Sequence, residues 1–305
     1  MDINKLQIEI RRLLKEKNAI LLVHNYERSE IQDIADLTGD SLGLSIEASK
    51  TKADIIVFCG VHFMAETASI ICPNKTVLLP VISAGCPMAD MITAQALVEK
   101  KKELPGVPVV SYVNSPASVK AESDICCTSA NAIQVVKSLV NHDTILMTPD
   151  KNLARYTQRY TDKRIVYWEG YCPYHDTLTP EQVKKVKHAY PEAVFLAHPE
   201  CRPDVIDLAD EAKSTSGMLE YVKKSRHTEF IIGTETGIIH TLKTQNPDKT
   251  FIPADEKMIC TDMKKIILTD IVTSLLTLTP VIKVAEEIRA KAIKAIERML
   301  AVPRD

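Results

Sequence analysis

A chain of 305 residues, 45% hydrophobic and 26% charged, has the composition of a soluble globular protein with room for two or three modest domains. Its formal charge of −2 lacks the basic excess expected of a nucleic-acid binder. No apolar run approaches the ~18 residues that span a bilayer, so neither nucleic acid nor membrane is expected as a partner.

Residues 2–17 predict a charged amphipathic helix rather than a secretion signal, which points to a cytoplasmic location. Eight cysteines are more than packing needs, and the lack of a secretion signal disfavours a disulfide framework for them. A strand-like run at residues 20–26 ends on His24, Asn25 and Tyr26. Gly39-Asp40-Ser41 then opens a helical pattern, with Ser41 in the expected N-cap position. Apolar strands follow at residues 54–59 and 76–79, and the second of them leads into Cys86.

The same series then recurs. A strand at residues 109–115 carries Tyr112 and Asn114, Ser129 opens a helical pattern, and strands at 144–148 and 164–167 lead to Cys172. A third copy has a strand at 194–200 bearing His198 and Glu200, then Thr215, strands at 229–233 and 250–252, and Cys260. His24, Tyr112 and His198 are spaced by 88 and 86 residues, as are Ser41, Ser129 and Thr215; the cysteines are spaced by 86 and 88. The amphipathic helices before the first strands, near 3–17, 91–102 and 179–189, keep the same step.

Such a period predicts three homologous three-layer α/β/α domains with parallel sheets, at residues 1–86, 87–172 and 173–260. Residues 261–305 read as two C-terminal helices, split around 277–280, that pack back on the first repeat. Three like modules can pack with pseudo-threefold symmetry around a central active site, because ligands of open α/β sheets sit off the carboxyl ends of the strands. Three helix N-termini at Ser41, Ser129 and Thr215 would favour an anionic ligand there.

The three periodic cysteines carry the sharper signal. Iron–sulfur clusters take thiolate ligands, normally four. Three equivalent cysteines would leave one iron open to act as a Lewis acid. Zinc is the metal alternative, although structural zinc sites favour closely spaced pairs and four protein ligands, and no Cys-x-x-Cys occurs here. Cys59 and Cys72 read as packing residues, Cys126-Cys127 as a buried strand end, and Cys201 as a bystander near the site.

The runs His24-Asn25-Tyr26, Gly39-Asp40-Ser41-Leu42, Gly85-Cys86-Pro87-Met88-Ala89, Tyr112-Val113-Asn114-Ser115, Cys127-Thr128-Ser129-Ala130-Asn131, Cys172-Pro173-Tyr174-His175, His198-Pro199-Glu200-Cys201 and Gly233-Thr234-Glu235-Thr236-Gly237 together resemble the quinolinate synthase family, over residues 18 to 265. The resemblance implies an enzyme of NAD biosynthesis that condenses iminosuccinate with dihydroxyacetone phosphate to quinolinate, with loss of phosphate and water. It implies one [4Fe–4S] cluster on Cys86, Cys172 and Cys260, and substrate binding at His24, Ser41, Tyr112, Asn114, Ser129, His198, Glu200 and Thr215. Glu200, His198, Tyr26, Tyr112 and His175 are the catalytic candidates it marks. An L-aspartate oxidase or dehydrogenase, in transient contact, is the partner it allows for. Some members carry a Cys-x-x-Cys-x-x-Cys run near the last ligand; here Cys260 stands alone in Ile259-Cys260-Thr261-Asp262-Met263. The alternatives are another [4Fe–4S] hydro-lyase acting on a small carboxylic acid, or a ligand-binding protein with structural zinc.

Overall fold

The computed structural model describes residues 2–304. Eight elements alternate helix and strand, and the series occurs three times. The first comprises α1 (Ile3–Glu16), β1 (Ala19–His24), α2 (Ser29–Gln32), β2 (Leu37–Gly39), α3 (Ser41–Lys50), β3 (Ile55–Cys59), α4 (His62–Ile71) and β4 (Thr76–Leu78). The second comprises α5 (Ala94–Glu103), β5 (Val109–Tyr112), α6 (Ala117–Ala121), β6 (Ile125–Cys127), α7 (Ala132–Ser138), β7 (Thr144–Thr148), α8 (Lys151–Gln158) and β8 (Arg164–Tyr167). After a short α9 (Pro173–Asp176), the third comprises α10 (Pro180–Ala189), β9 (Val194–Ala197), α11 (Pro203–Ile206), β10 (Glu211–Ala212), α12 (Thr215–Lys224), β11 (Glu229–Gly233), α13 (Ile238–Gln245) and β12 (Thr250–Pro253). Two helices close the described chain, α14 (Leu268–Thr277) and α15 (Glu286–Leu300).

Each series makes one four-stranded sheet, and the orders β2-β1-β3-β4, β6-β5-β7-β8 and β10-β9-β11-β12 are the same topology. Every pairing is parallel. The central strands are runs such as Ile55–Cys59 and Val109–Tyr112, buried along their whole length. Continuous apolar strands of this kind form where helices cover both faces of a sheet. Each fully buried aliphatic side chain there contributes roughly 1.5–3 kcal/mol.

The helices at the end of the chain divide between modules, where a return to the first repeat alone was expected. α14 packs on α1, with Leu268, Ile271 and Leu275 buried. α15 lies mainly on α6 and β6 of the second module and touches α4 of the first, where Arg289 donates to the Ile70 carbonyl. Its buried stripe, Ala292, Ala295, Ile296 and Met299, follows helical spacing, and its two alanines permit close approach to the edge strand β6. No helix among the described residues is long and apolar enough to cross a membrane.

Candidate active site

β1, β5 and β9 end on, or one residue before, His24, Tyr112 and His198. Those three side chains line one cavity with Tyr26, Asn114, Ser129, His175, Glu200, Thr215 and all three periodic cysteines. Among the site residues expected from sequence, Ser41 is the exception. It is half-buried at the head of α3 and does not line the cavity.

The caps differ from expectation by one residue. Asp40 accepts from the Gly43 amide and Ser214 from the Gly217 amide, so Ser41 and Thr215 are first helical residues rather than caps. α7 starts at Ala132, after a turn in which Asn131 Oδ1 accepts from the Thr128 amide. The shift matters chemically, because a hydroxyl that does not cap remains available. Thr215 uses its own to meet the Tyr26 hydroxyl at 2.9 Å.

A hydrogen-bonded chain crosses all three modules. The Tyr112 hydroxyl donates to Glu200 Oε1 at 2.5 Å, and His175 Nδ1 lies 2.9 Å from Glu200 Oε2. An ionised carboxylate only accepts, so Nδ1 of His175 carries the proton and Nε2 accepts from the Thr234 hydroxyl at 2.7 Å. Thr234 in turn receives the Tyr26 hydroxyl at 2.6 Å. Thr234 was not among the candidates from sequence, although it follows an apolar strand as His24 and His198 do. Neighbouring Glu235 was missed as well; it accepts from the Cys260 amide at 3.1 Å and pairs with Lys264 at 3.0 Å.

Burial keeps the two strand-end histidines neutral. Desolvation lowers His24 to about 4 and His198 to about 3, against smaller opposite pulls from Asp40 and Glu200. In each, Nδ1 accepts an amide two residues on, from Tyr26 at 3.1 Å and from Glu200 at 3.3 Å. The proton therefore sits on Nε2, as a hydrogen-bond donor. Burial raises Glu200, but the hydrogen bonds from His175 Nδ1 and the Tyr112 hydroxyl favour the ionised form and hold the carboxyl below its usual range. Tyr26 and Tyr112 are driven well up, first by burial, and stay protonated donors.

These histidines predict acid sensitivity. Each is neutral when folded and protonates in the unfolded chain below about pH 6.5, so stability is full above that pH and falls as pH drops toward 4. At pH 5 the loss is on the order of 2 kcal/mol from each. Urea titrations at pH 7 and pH 5 check this, and an unchanged midpoint would show that the histidines titrate normally.

The cysteines meet the requirements of a metal cofactor. No disulfide joins any two of them among the described residues; Cys86, Cys172 and Cys260 are partly accessible, whereas the other five are buried. Cys72 donates to the Ala48 carbonyl and Cys201 to that of Gly233, which accounts for both as packing residues. Backbone amides point at each cavity sulfur: Met88 and Ala89 at Cys86, His175 at Cys172, and Asp262 and Met263 at Cys260. Burial nonetheless pushes Cys86 up to about 12, Cys260 to about 11, and Cys172 well up. Three cavity sulfurs cradled by amides suit thiolates whose charge a metal takes up.

The loops that carry them are tied in a ring. Asp262 accepts from the Gly85 amide at 3.2 Å, and the Tyr174 hydroxyl meets Thr261 at 2.8 Å. Trp168 Nε1 donates to the Met91 carbonyl at 2.9 Å. Gly170 lets the Cys172 loop pass so close to Pro149 that an added Cβ would lie 2.5 Å from its carbonyl oxygen. A second donor set, Cys172, His175 and Glu200, also lies close together. Its imidazole and carboxylate are already committed to Thr234 and Tyr112, whereas of the three cysteines only Cys172 hydrogen-bonds a side chain among the described residues, His175 Nδ1 at 3.1 Å. Asn114 Oδ1, at the cavity wall, is buried without a hydrogen-bond partner among the described residues. A buried acceptor left open in this way marks a place for a ligand.

The family model for quinolinate synthetase A protein matches residues 8–301. The chain is 60% identical over 300 residues to a quinolinate synthase of Geobacter sp. (strain M21), covering 98% of each chain. It is 55% identical over 301 residues to that of Methanoregula boonei, covering 99% of each, and 52% identical over 303 residues to that of Desulforudis audaxviator, covering 99% of this chain and 100% of the other. With identity at this level across the whole length, the chain belongs to the quinolinate synthetase A protein family.

Proposed function

We propose that this enzyme condenses iminosuccinate with dihydroxyacetone phosphate, releasing phosphate and water, and so supplies quinolinate for NAD biosynthesis. The observation that carries this reading is the convergence of three periodic thiols and the Glu200 hydrogen-bond chain on one cavity. Cys86, Cys172 and Cys260 would hold one [4Fe–4S] cluster, which when bound supplies a Lewis-acidic iron with an open position for a substrate oxygen.

The protein's own groups then divide the work. Neutral His24 and His198 donate from Nε2 to carboxylate or phosphate oxygens. Ser129, Thr215 and Asn114 add uncharged contacts around them. The ionised Glu200 takes a proton from carbon as the two skeletons join and isomerise. Tyr112 donates to oxygen charge that develops beside it. Tyr26 reaches Glu200 through Thr234 and His175, a chain whose donors all point toward the carboxylate and hold it oriented, so that Glu200 itself returns the proton for the loss of water. The buried walls keep bulk water from a reactive imine.

An L-aspartate oxidase or dehydrogenase would provide iminosuccinate by transient contact, in the cytoplasm. Eight cysteines with no disulfide among the described residues suit a reducing compartment. Mixing anaerobically purified protein with both substrates should release quinolinate and phosphate in equal amounts. Phosphate release without quinolinate, or neither product, would overturn the reading.

A further inference from the structure

Arg304 follows α15, far in sequence from every residue of the cavity, yet it touches the heads of two helices that frame it. Its Nη1 donates to Asp40 Oδ2 at 2.8 Å and its Nη2 to Asp40 Oδ1 at 3.2 Å, a two-pronged grip on one carboxylate. Nη1 also donates to Ser216 Oγ at 2.5 Å, and the Ser216 hydroxyl itself donates to Asp40. Asp40 caps α3 in the first module; Ser216 lies in the first turn of α12 in the third.

The second module anchors this segment. Asn131 Nδ2, just before α7, donates to the carbonyls of Met299 at 3.2 Å and Val302 at 3.4 Å. α15 itself lies on α6 and β6. Residues 299–304 therefore meet the equivalent helix heads of all three modules. Gly43 leaves room for the grip, since a Cβ there would lie 3.2 Å from Arg304 Nη2. Arg304 also lines a surface groove that ends on Ser129, one wall of the cavity.

We propose that Arg304 is a positioning residue, which clasps the heads of α3 and α12 and thereby holds Thr215, the first residue of α12, where substrate binding needs it. Arg304 touches no substrate. It acts through Asp40, whose side chain is 9% exposed and would otherwise be an uncompensated carboxylate beside an anion site. Removing the guanidinium takes away the charged tie between first and third modules and leaves the Ser216–Asp40 hydrogen bond to hold the two helix heads, which loosens them. Lysine keeps the charge but not the planar fork, so it should restore only part of the effect. The proposal rests on the catalytic reading above only for its kinetic consequence.

The test compares wild type, Arg304→Ala and Arg304→Lys as anaerobically purified holoenzyme. Amide hydrogen exchange in residues 41–44 and 215–218 should accelerate about tenfold in Arg304→Ala and less in Arg304→Lys, with the rest of the chain unchanged. KM should rise about tenfold, with kcat within about threefold and iron content equal to wild type. Unchanged exchange in those turns overturns the clasp. So does faster exchange throughout the chain with loss of iron, which marks general support, or local loosening with KM unaltered. The exchange comparison needs no turnover, so it decides the clasp even if wild type fails to make quinolinate, a failure that would count against the catalytic reading alone.

Discussion

Glu200→Gln should lower kcat by about a thousandfold while leaving the cluster absorbance and iron content of the protein unchanged. Glu200 is the point where the hydrogen-bond chain closes: one oxygen accepts from Tyr112 and the other faces His175 Nδ1. Glutamine has the same shape, so packing around the buried side chain is preserved. Its amide nitrogen cannot accept, however, and one of the two donors must lose its partner. An amide also cannot take a proton from carbon at neutral pH. Substrate should still bind, because His24, His198 and Asn114 are untouched, and KM should move much less than kcat. Wild-type turnover in this variant would remove Glu200 from the mechanism.

Replacing any one of Cys86, Cys172 or Cys260 by alanine should abolish the visible absorbance and reduce bound iron to about a tenth of wild type or less. The three positions are equivalent in three modules, and each sulfur sits under amides of the turn that follows it. Cys59→Ala and Cys72→Ala should keep the cluster, since those residues are buried away from the cavity. The series also separates the two donor sets. A metal held by Cys172, His175 and Glu200 would survive loss of Cys86 or Cys260. Full iron in either of those variants would sink the assignment of that ligand.

Much of this architecture is legible in the sequence because parallel modules leave a periodic trace. Buried strands read as apolar runs, and the polar residue that ends each run falls on the cavity. Spacings of 86 and 88 residues thus turn distance along the chain into proximity in space. The ends of helices are harder. Asp40-Ser41 and Ser214-Thr215 each place two capping residues side by side, and nothing local says which one turns to the amides. The first residue caps at both sites and leaves the second hydroxyl free, yet only Thr215 reaches the cavity, where it faces Tyr26.

Thr234 escaped for a different reason. Its role consists of two contacts, with Tyr26 of the first module and His175 of the short α9, that no periodicity encodes. The same holds for α15, whose amphipathic stripe announces a buried face without naming its partner. The stripe covers the exposed edge at β6, a place that exists only once the second sheet has formed.

The central claim is that three cysteines and the substrate groups serve one cavity, with three protein donors for about four irons. Mössbauer spectra of 57Fe-labelled enzyme, with and without quinolinate, test it directly. The account predicts that about one iron in four shifts on addition of the product while the others keep their signals. Spectra unaffected by saturating quinolinate would mean that metal and substrate occupy separate sites, and would contradict the account.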